Sequence, residues 1–174
     1  MGDDGKTVLA ALRHTRQVRQ FTDEPVADDD LDRILEVARW TGSSTNWQPW
    51  RFGLIRDRER LARLAELAPN ARHVAGAAAV IAIVMPGERP EWEMYDEGRC
   101  AERIMVAAEA LGLGAGIGWV TGRYRDGVTA FLGLAEPSYV RTLISLGYPT
   151  AAAREPKSAP GAARRPLLEL LVEL

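Results

Sequence analysis

Three stretches of this chain combine residue types that could do chemistry. The first is Arg16-Gln17-Val18-Arg19, where two guanidinium groups stand three residues apart. Each presents a planar fork of donors suited to phosphate or carboxylate oxygens. On a helical turn the two arginines would share a face, whereas in an extended strand they would point to opposite sides. The same pair also fits two solvated surface arginines. The second stretch is Thr41–Phe52, TGSSTNWQPWRF. Ser43, Ser44, Thr45, Asn46 and Gln48 lie between Trp40, Trp47 and Trp50, and Pro49 stiffens the exit. Hydrogen-bonding groups beside flat apolar surface suit a planar ligand with polar edges. A helix end followed by a turn and a buried strand accounts for these residues equally well. The third stretch is Gly112–Gly118, GLGAGIG. Its glycines follow a helical pattern and open a strand, and their spacing is not GxGxxG, so it is not a dinucleotide-binding loop. Gly112 reads as a helix C-cap, and the later glycines as places where backbone lies close to something flat.

The elements that must position these stretches follow from periodicity. A short helix over 7–14 carries Val8, Leu9 and Leu12 and leads into the arginines. Asp28 is the expected N-cap of a helix in which Leu31, Ile34, Leu35 and Ala38 recur at i, i+3, i+4 and i+7, ending near Gly42. A strand follows over 52–55. Asp57 caps a helix that buries Leu61, Leu64, Ala65 and Ala68 and closes at Pro69. Ala77–Val84 is apolar on both faces, which predicts a central strand covered by helices on both sides. From Glu91 to Leu111 a helix carries Ala101, Ile104, Met105, Ala108 and Leu111 as a stripe, broadened by Val106, Ala107 and Ala110. A face this wide predicts either the buried spine of the domain or a subunit interface, with Cys100 as a small buried hydrophobe. A strand then runs through Trp119 and Val120, a short helix is centred on 127–132, and Val140–Leu146 forms another core strand. Thr150–Ala163, rich in Ala and Pro, reads as a linker whose fourteen residues reach roughly 45 Å when extended. Leu167–Leu174 reads as an apolar strand or helix that docks on its own body or on a neighbour.

Composition narrows the function classes. The chain has 174 residues, 47% hydrophobic and 26% charged, which suits one domain over 1–150 with an extended arm over 151–174. A formal net charge of -2 supplies no field to gather nucleic acid or an anionic membrane, so any anion must be held by a local cluster. One cysteine excludes an internal disulfide and a cysteine zinc site. His14 and His73 stand apart, without metal-ligand spacing. No P-loop and no G-x-S-x-G elbow is present. MGDDGK has no apolar h-region, and Lys6 stands where a myristoylation motif wants Ser or Thr. The expectation is a soluble, cytoplasmic protein.

Taken together, five pieces resemble the nitroreductase family of flavin enzymes. Arg16–Phe21 followed by Glu24-Pro25-Val26 is similar to the family's R-S-x-R-x-F and EPV. TGSSTNWQPWRF resembles its PSSxNxQPWxF hallmark. Ala107-Ala108 through Gly112-Leu113-Gly114 resembles A-A-x-x-L-G-L-G, Leu146–Pro149 its LGYP, and Arg164-Arg165-Pro166 its basic C-terminal segment. The resemblance implies an α+β, three-layer fold with a mixed central sheet flanked by helices, an intertwined homodimer, and FMN bound at the interface. By position, Arg16, Gln17 and Arg19 would hold the FMN phosphate, ribityl chain and pyrimidine edge. Ser43, Ser44 and Asn46 would come from the other subunit. Val120, Thr121 and Gly122 would bring backbone near flavin N5, and Arg164 and Arg165 would form a second phosphate clamp. No protein acid or base is implied, because the flavin carries the chemistry.

The resemblance further implies hydride transfer from NADH or NADPH, in ping-pong order, to a flat aromatic or quinone-like acceptor such as a nitroaromatic. A specialised flavin dehydrogenase, a flavin-degrading enzyme and a non-catalytic flavin-binding module share the same motifs. Gly42 replaces the family's usual Pro and Gln17 its usual Ser, so altered ribityl contacts are expected. The short interval from Phe52 to Asp96 implies a reduced helical cover and a more open flavin face.

Overall fold

The computed structural model describes residues 3–155 and 164–173. At its centre lies β2 (Ala79–Met85), all seven residues of which are buried. Their alternation divides them between two cores. Ala79, Ile81, Ile83 and Met85 pack with α2 (Asp28–Arg39) and α4 (Pro90–Ala110), whereas Val80, Ala82 and Val84 pack with α3 (Arg58–Leu67) and Val128 of α5 (Gly122–Phe131). Successive strand side chains point to opposite faces, so a strand apolar at every position must be covered on both. This gives the expected three layers, helices on either side of a sheet.

The sheet order is β1-β2-β4-β3, with β1 (Arg51–Ile55), β3 (Gly114–Trp119) and β4 (Tyr139–Gly147). All three pairings of these strands are antiparallel. The parallel component of a mixed sheet is confined to one bridge, Gln17 to Ala115, on the outer side of β3. There the chain following α1 (Asp3–His14) runs extended beside β3, and the Val18 amide donates to the Ala115 carbonyl at 2.7 Å.

Several boundaries differ from the sequence reading. Ala27, not Asp28, is the N-cap of α2 and makes no side-chain cap bond. Asp28, Asp29 and Asp30 instead occupy the first turn, where acidic groups complement the positive helix end. Asp28 pairs with Arg56. Asp57 does cap α3, accepting from the Arg60 amide at 2.8 Å. α5 starts at Gly122, several residues before the expected 127–132. Thr121 is extended and starts the helix, and Gly127 is tolerated inside it. Gly112 has φ +75° and ends α4 as expected. The stretch read wholly as linker begins with a short helix, α6 (Ala151–Arg154), capped by the Thr150 side chain. Residues 156–163 of that stretch and Leu174 lie outside the described residues. The tail forms only a 3-10 turn at Leu167–Glu169, not a regular helix or strand, and Leu167, Leu168, Leu170, Leu171 and Val172 are exposed.

α4 is the spine of the domain. Cys100, Ala101, Ile104, Met105, Ala107 and Ala108 are buried against the sheet. Its first half departs from that pattern by also burying Glu93, Asp96 and Glu97.

Candidate functional site

The arginine segment is placed by glycines. Gly114, Gly116 and Gly118 share one face of β3, since they alternate along it. A Cβ on Gly114 would come within 2.6 Å of Val18 Cγ1, one on Gly116 would collide with the Val18 carbonyl, and one on Gly118 would collide with Ala71. The flat object that these glycines admit is therefore the protein's own chain. Residues 16–19 lie directly on the sheet, and the stem of Arg19 passes over Gly116, 3.3 Å from where its Cβ would be.

The backbone here is extended, so Arg16 and Arg19 leave it on opposite sides. Both are exposed and neither forms an ion pair with a described residue. Gln17 is committed to the protein: its Oε1 accepts from the Ile117 amide at 2.7 Å and its Nε2 donates toward Met105 Sδ at 3.4 Å. Its side chain thus ties the segment to both β3 and α4. His73, which has no metal-ligand spacing in the sequence, lies alongside. Its Nε2 is 3.4 Å from the Gly116 carbonyl, and burial together with nearby Arg19 pushes its pKa down. No spacing in the sequence announces this neighbour, because a 3-10 run over Pro69–Gly76 carries it to the sheet.

At the end of β3, Val120 is buried, Thr121 half-buried and Gly122 exposed. Two arginines fix this segment. The Val120 amide donates to the Arg141 carbonyl at 2.8 Å, and Arg125 Nε donates to the Val120 carbonyl at 3.2 Å. Below lies a buried polar network. Arg141 Nη1 is 3.4 Å from Glu97 Oε2, and the two side chains are 5% and 2% exposed. Tyr139 donates to Glu93 at 2.8 Å and accepts from Arg141. Arg125 and Arg141 both lie over the rings of Trp119 and Tyr139. Burial pushes the Glu97 carboxyl up, against the pull of Thr142 and Arg141, and burial with the Glu93 contact raises the Tyr139 phenol. Burial likewise pushes the Cys100 thiol up to about 11, consistent with an inert packed side chain. Sequence reading missed the network, although a signal existed: an arginine inside the apolar strand 140–146 demands a buried acidic partner.

The Thr41–Phe52 stretch is a strained loop. Thr45, Asn46 and Gln48 have φ of 52°, 56° and 51°, left-handed conformations at three non-glycine positions. They are held locally. Ser43 Oγ accepts from the Gln48 amide at 2.8 Å, and Gln48 Nε2 donates to Asn46 Oδ1 at 3.0 Å. Such strain persists where surrounding contacts over-determine it, commonly at ligand sites. Ser43 and Ser44 open onto a cleft of about 490 Å³ whose other walls are Glu91, Trp92, Tyr95, Asp96 and Arg99. Of the remaining expected site residues, Arg165 pairs with Glu169 within its own turn at 3.2 Å, and Arg164 is exposed. The structure therefore gathers Arg16, Gln17, Arg19 and His73 along β3, with Val120–Gly122 at its end. It places Ser43 and Ser44 beside the first half of α4, and Asn46 within the same loop, bonded to Gln48. Among the described residues no group of three His, Cys, Asp or Glu could hold a metal, and no helix is long and apolar enough to cross a membrane.

Comparison with known proteins agrees with this architecture. Residues 12–71 and 67–148 match the model of the Nitroreductase family. An NADH dehydrogenase of Thermus thermophilus is 30% identical over 183 aligned positions, covering 84% of this chain and 87% of the relative. An FMN-dependent nitroreductase from Clostridium difficile superposes with a TM-score of 0.78 at 26% identity, covering 88% and 92% of the two chains. A structure from Desulfovibrio desulfuricans in complex with FMN does so with a TM-score of 0.78 at 31% identity, covering 96% of each. This chain belongs to the nitroreductase family.

Proposed function

We propose that this member of the nitroreductase family is an FMN-dependent oxidoreductase that moves hydride from NADH or NADPH, in ping-pong order, to a flat acceptor such as a nitroaromatic or quinone. One observation carries the reading most: two exposed arginines without described ion pairs stand on a segment that is packed against the glycine face of β3 and tied to it through Val18 and Gln17. A phosphate with nearly two negative charges wants several charge-assisted hydrogen bonds, which that segment can supply. The FMN-bound structure from Desulfovibrio desulfuricans, 31% identical, supports the choice of cofactor.

FMN, when bound, supplies hydride chemistry at N5, and the chain supplies position and charge. Arg16 and Arg164 hold the phosphate. Arg19 sets a fixed cation at the pyrimidine edge, where it favours the reduced, negatively charged form. Gln17 keeps both arginines in register by anchoring the segment to Ile117 and Met105. Backbone of Val120–Gly122, held by the Arg125 side chain and the Arg141 carbonyl, would lie near the reacting edge. Ser43, Ser44 and Asn46 act on the cofactor of a second copy, which makes the enzyme a homodimer. The exposed leucines of the tail and the exposed Val8, Leu9 and Leu12 of α1 supply apolar surface for that association.

An absorbance spectrum of the purified protein tests the reading. Flavin bands should be present or appear on reconstitution with FMN, and anaerobic NADH or NADPH should bleach them. A colourless protein that takes up no FMN, with Arg16→Ala and Arg19→Ala indistinguishable from wild type, would exclude it. Flavin that stays oxidised with both donors would mark a binding module instead.

A further inference from the structure

At the end of β3 a side chain sets the direction of a peptide. On the edge of β3 away from β4, the Ala115 carbonyl accepts from the Val18 amide and the Ile117 amide donates to Gln17 Oε1. Backbone groups alternate along a strand, so Ala115, Ile117, Trp119 and Thr121 turn theirs to that outer edge. Val120 turns its own inward, and its amide donates to the Arg141 carbonyl at 2.8 Å. A closed antiparallel pair would return a bond from the Arg141 amide to the Val120 carbonyl. Here β4 bulges at Arg141, between Val140 and Thr142, which pair with Val84 and Ile83, and Arg125 Nε takes the Val120 carbonyl instead at 3.2 Å. The half-buried Arg125 guanidinium lies 5.9 Å from the Trp119 ring centre and 5.8 Å from that of Tyr139, and it attracts the buried Glu97 carboxyl. The carbonyl and amide of a trans peptide point in opposite directions. Holding the Val120 carbonyl inward therefore aims the Thr121 amide outward, onto the edge beside which residues 16–19 run. Thr121 is extended and half-buried, and among the described residues its amide has no acceptor. A backbone donor left open at a partly buried position calls for a partner.

Resting on the flavin reading above, we infer that Arg125 is a positioning residue of the flavin site, which through the Val120 carbonyl aims the Thr121 amide at the reacting edge of the cofactor. Arg125 acts only through that peptide. The two rings and Glu97 restrain the guanidinium, so the direction of the donor is set before any ligand arrives. The aim depends on the directed Nε of a planar fork, which a lysine ammonium lacks.

Hydrogen exchange at the Thr121 amide is the direct test. FMN should slow it about tenfold in wild type, and Arg125→Met should remove most of that protection. Arg125→Met should also lower the limiting rate of flavin reduction by NADH or NADPH about tenfold, while the FMN Kd stays within about threefold because Arg16, Gln17 and Arg19 are untouched. Arg125→Lys, which keeps the charge beside Glu97, should fall between the two. Thr121→Pro separates the aim from the architecture. Thr121 has φ -66°, which proline adopts, and its amide makes no bond to a described residue, so the flavin-free variant should melt within about 2 °C of wild type. Adding Arg125→Met to Thr121→Pro should slow flavin reduction no further, since the donor that Arg125 aims is already gone. Equal protection of the Thr121 amide by FMN in wild type and Arg125→Met would overturn the inference, as would rate losses that multiply in the double variant. A flavin-free Thr121→Pro that melts far below wild type would do the same, because that amide would then serve the fold. FMN uptake and bleaching by either donor are measured first on wild type. Their absence would sink the flavin reading itself, and the Thr121→Pro melt would still decide whether the amide stands open.

Discussion

The outer face of β3 and the first half of α4 flank the candidate site in opposite ways. On β3, side chains have been removed: Gly114, Gly116 and Gly118 make room for the Val18 side chain, the Val18 carbonyl and Ala71. On α4, charged side chains have been buried: Glu93 and Glu97 are sealed in with Tyr139 and Arg141, and Asp96 pairs with Arg99. The first arrangement holds its neighbours by the absence of volume. The second holds Val120 and Trp119 through charge and hydrogen bonds, and carries a desolvation cost that must be balanced by pairing. A site can thus be framed on one side by sterics and on the other by electrostatics, and the two sides should fail differently.

The largest effect should come from the charged side. Arg141→Met leaves Glu97 buried without its cation and should cost about 3–5 kcal/mol in urea unfolding, while Glu97→Leu combined with Arg141→Met should recover most of that loss. A double variant no more stable than the single would show that the pair matters for more than charge compensation. On the steric side, Gly116→Ala should cost about 1–3 kcal/mol, because the colliding atom is the Val18 carbonyl and not a flexible side-chain end. FMN affinity should fall with it, and a calorimetric titration showing wild-type affinity would mean that residues 16–19 can lift without consequence. A smaller loss is expected for Tyr139→Phe, about 1 kcal/mol, since Glu93 keeps the Gly87 and Arg89 amides as donors.

The smallest contribution gives the β3 side a pH dependence of its own. His73 has a folded pKa below its ordinary value of 6.5, because burial and Arg19 disfavour the charged ring. Its stabilising effect is therefore complete above that ordinary value and is lost as pH falls through the folded one. Melting curves between pH 8 and pH 5 should show a decline that His73→Gln flattens. An unchanged slope in the variant would assign the decline to other groups.

These contrasts also explain what could be read from the chain alone. β2 was legible because burial on both faces leaves no polar position, and Asp57 and Gly112 because a cap and a left-handed turn each need particular residue types. The arginine segment was legible by its residue types but not by its conformation, which a single bridge to β3 and the glycine face determine. The glycines themselves pointed to a close approach, yet nothing local distinguishes a ligand from Val18 and Ala71. Glu93 and Glu97 resemble the solvated start of a helix until Tyr139 and Arg141, more than forty residues later, arrive on a neighbouring strand. Tertiary pairing of charges is the kind of information that periodicity does not contain.

The left-handed residues of the loop from Ser43 to Gln48 make its shape dependent on what surrounds it. Three non-glycine residues at positive φ cost of order 1–3 kcal/mol each, so the isolated segment does not hold this shape by itself. It needs α2 and β1 already in place at its two ends, and the Ser43 and Asn46 bonds to Gln48 closed across it. The loop's shape is thus imposed by its anchors and not by its own backbone preferences. Because Ser43 and Ser44 line the cleft, the form of the cleft depends on those anchors as well.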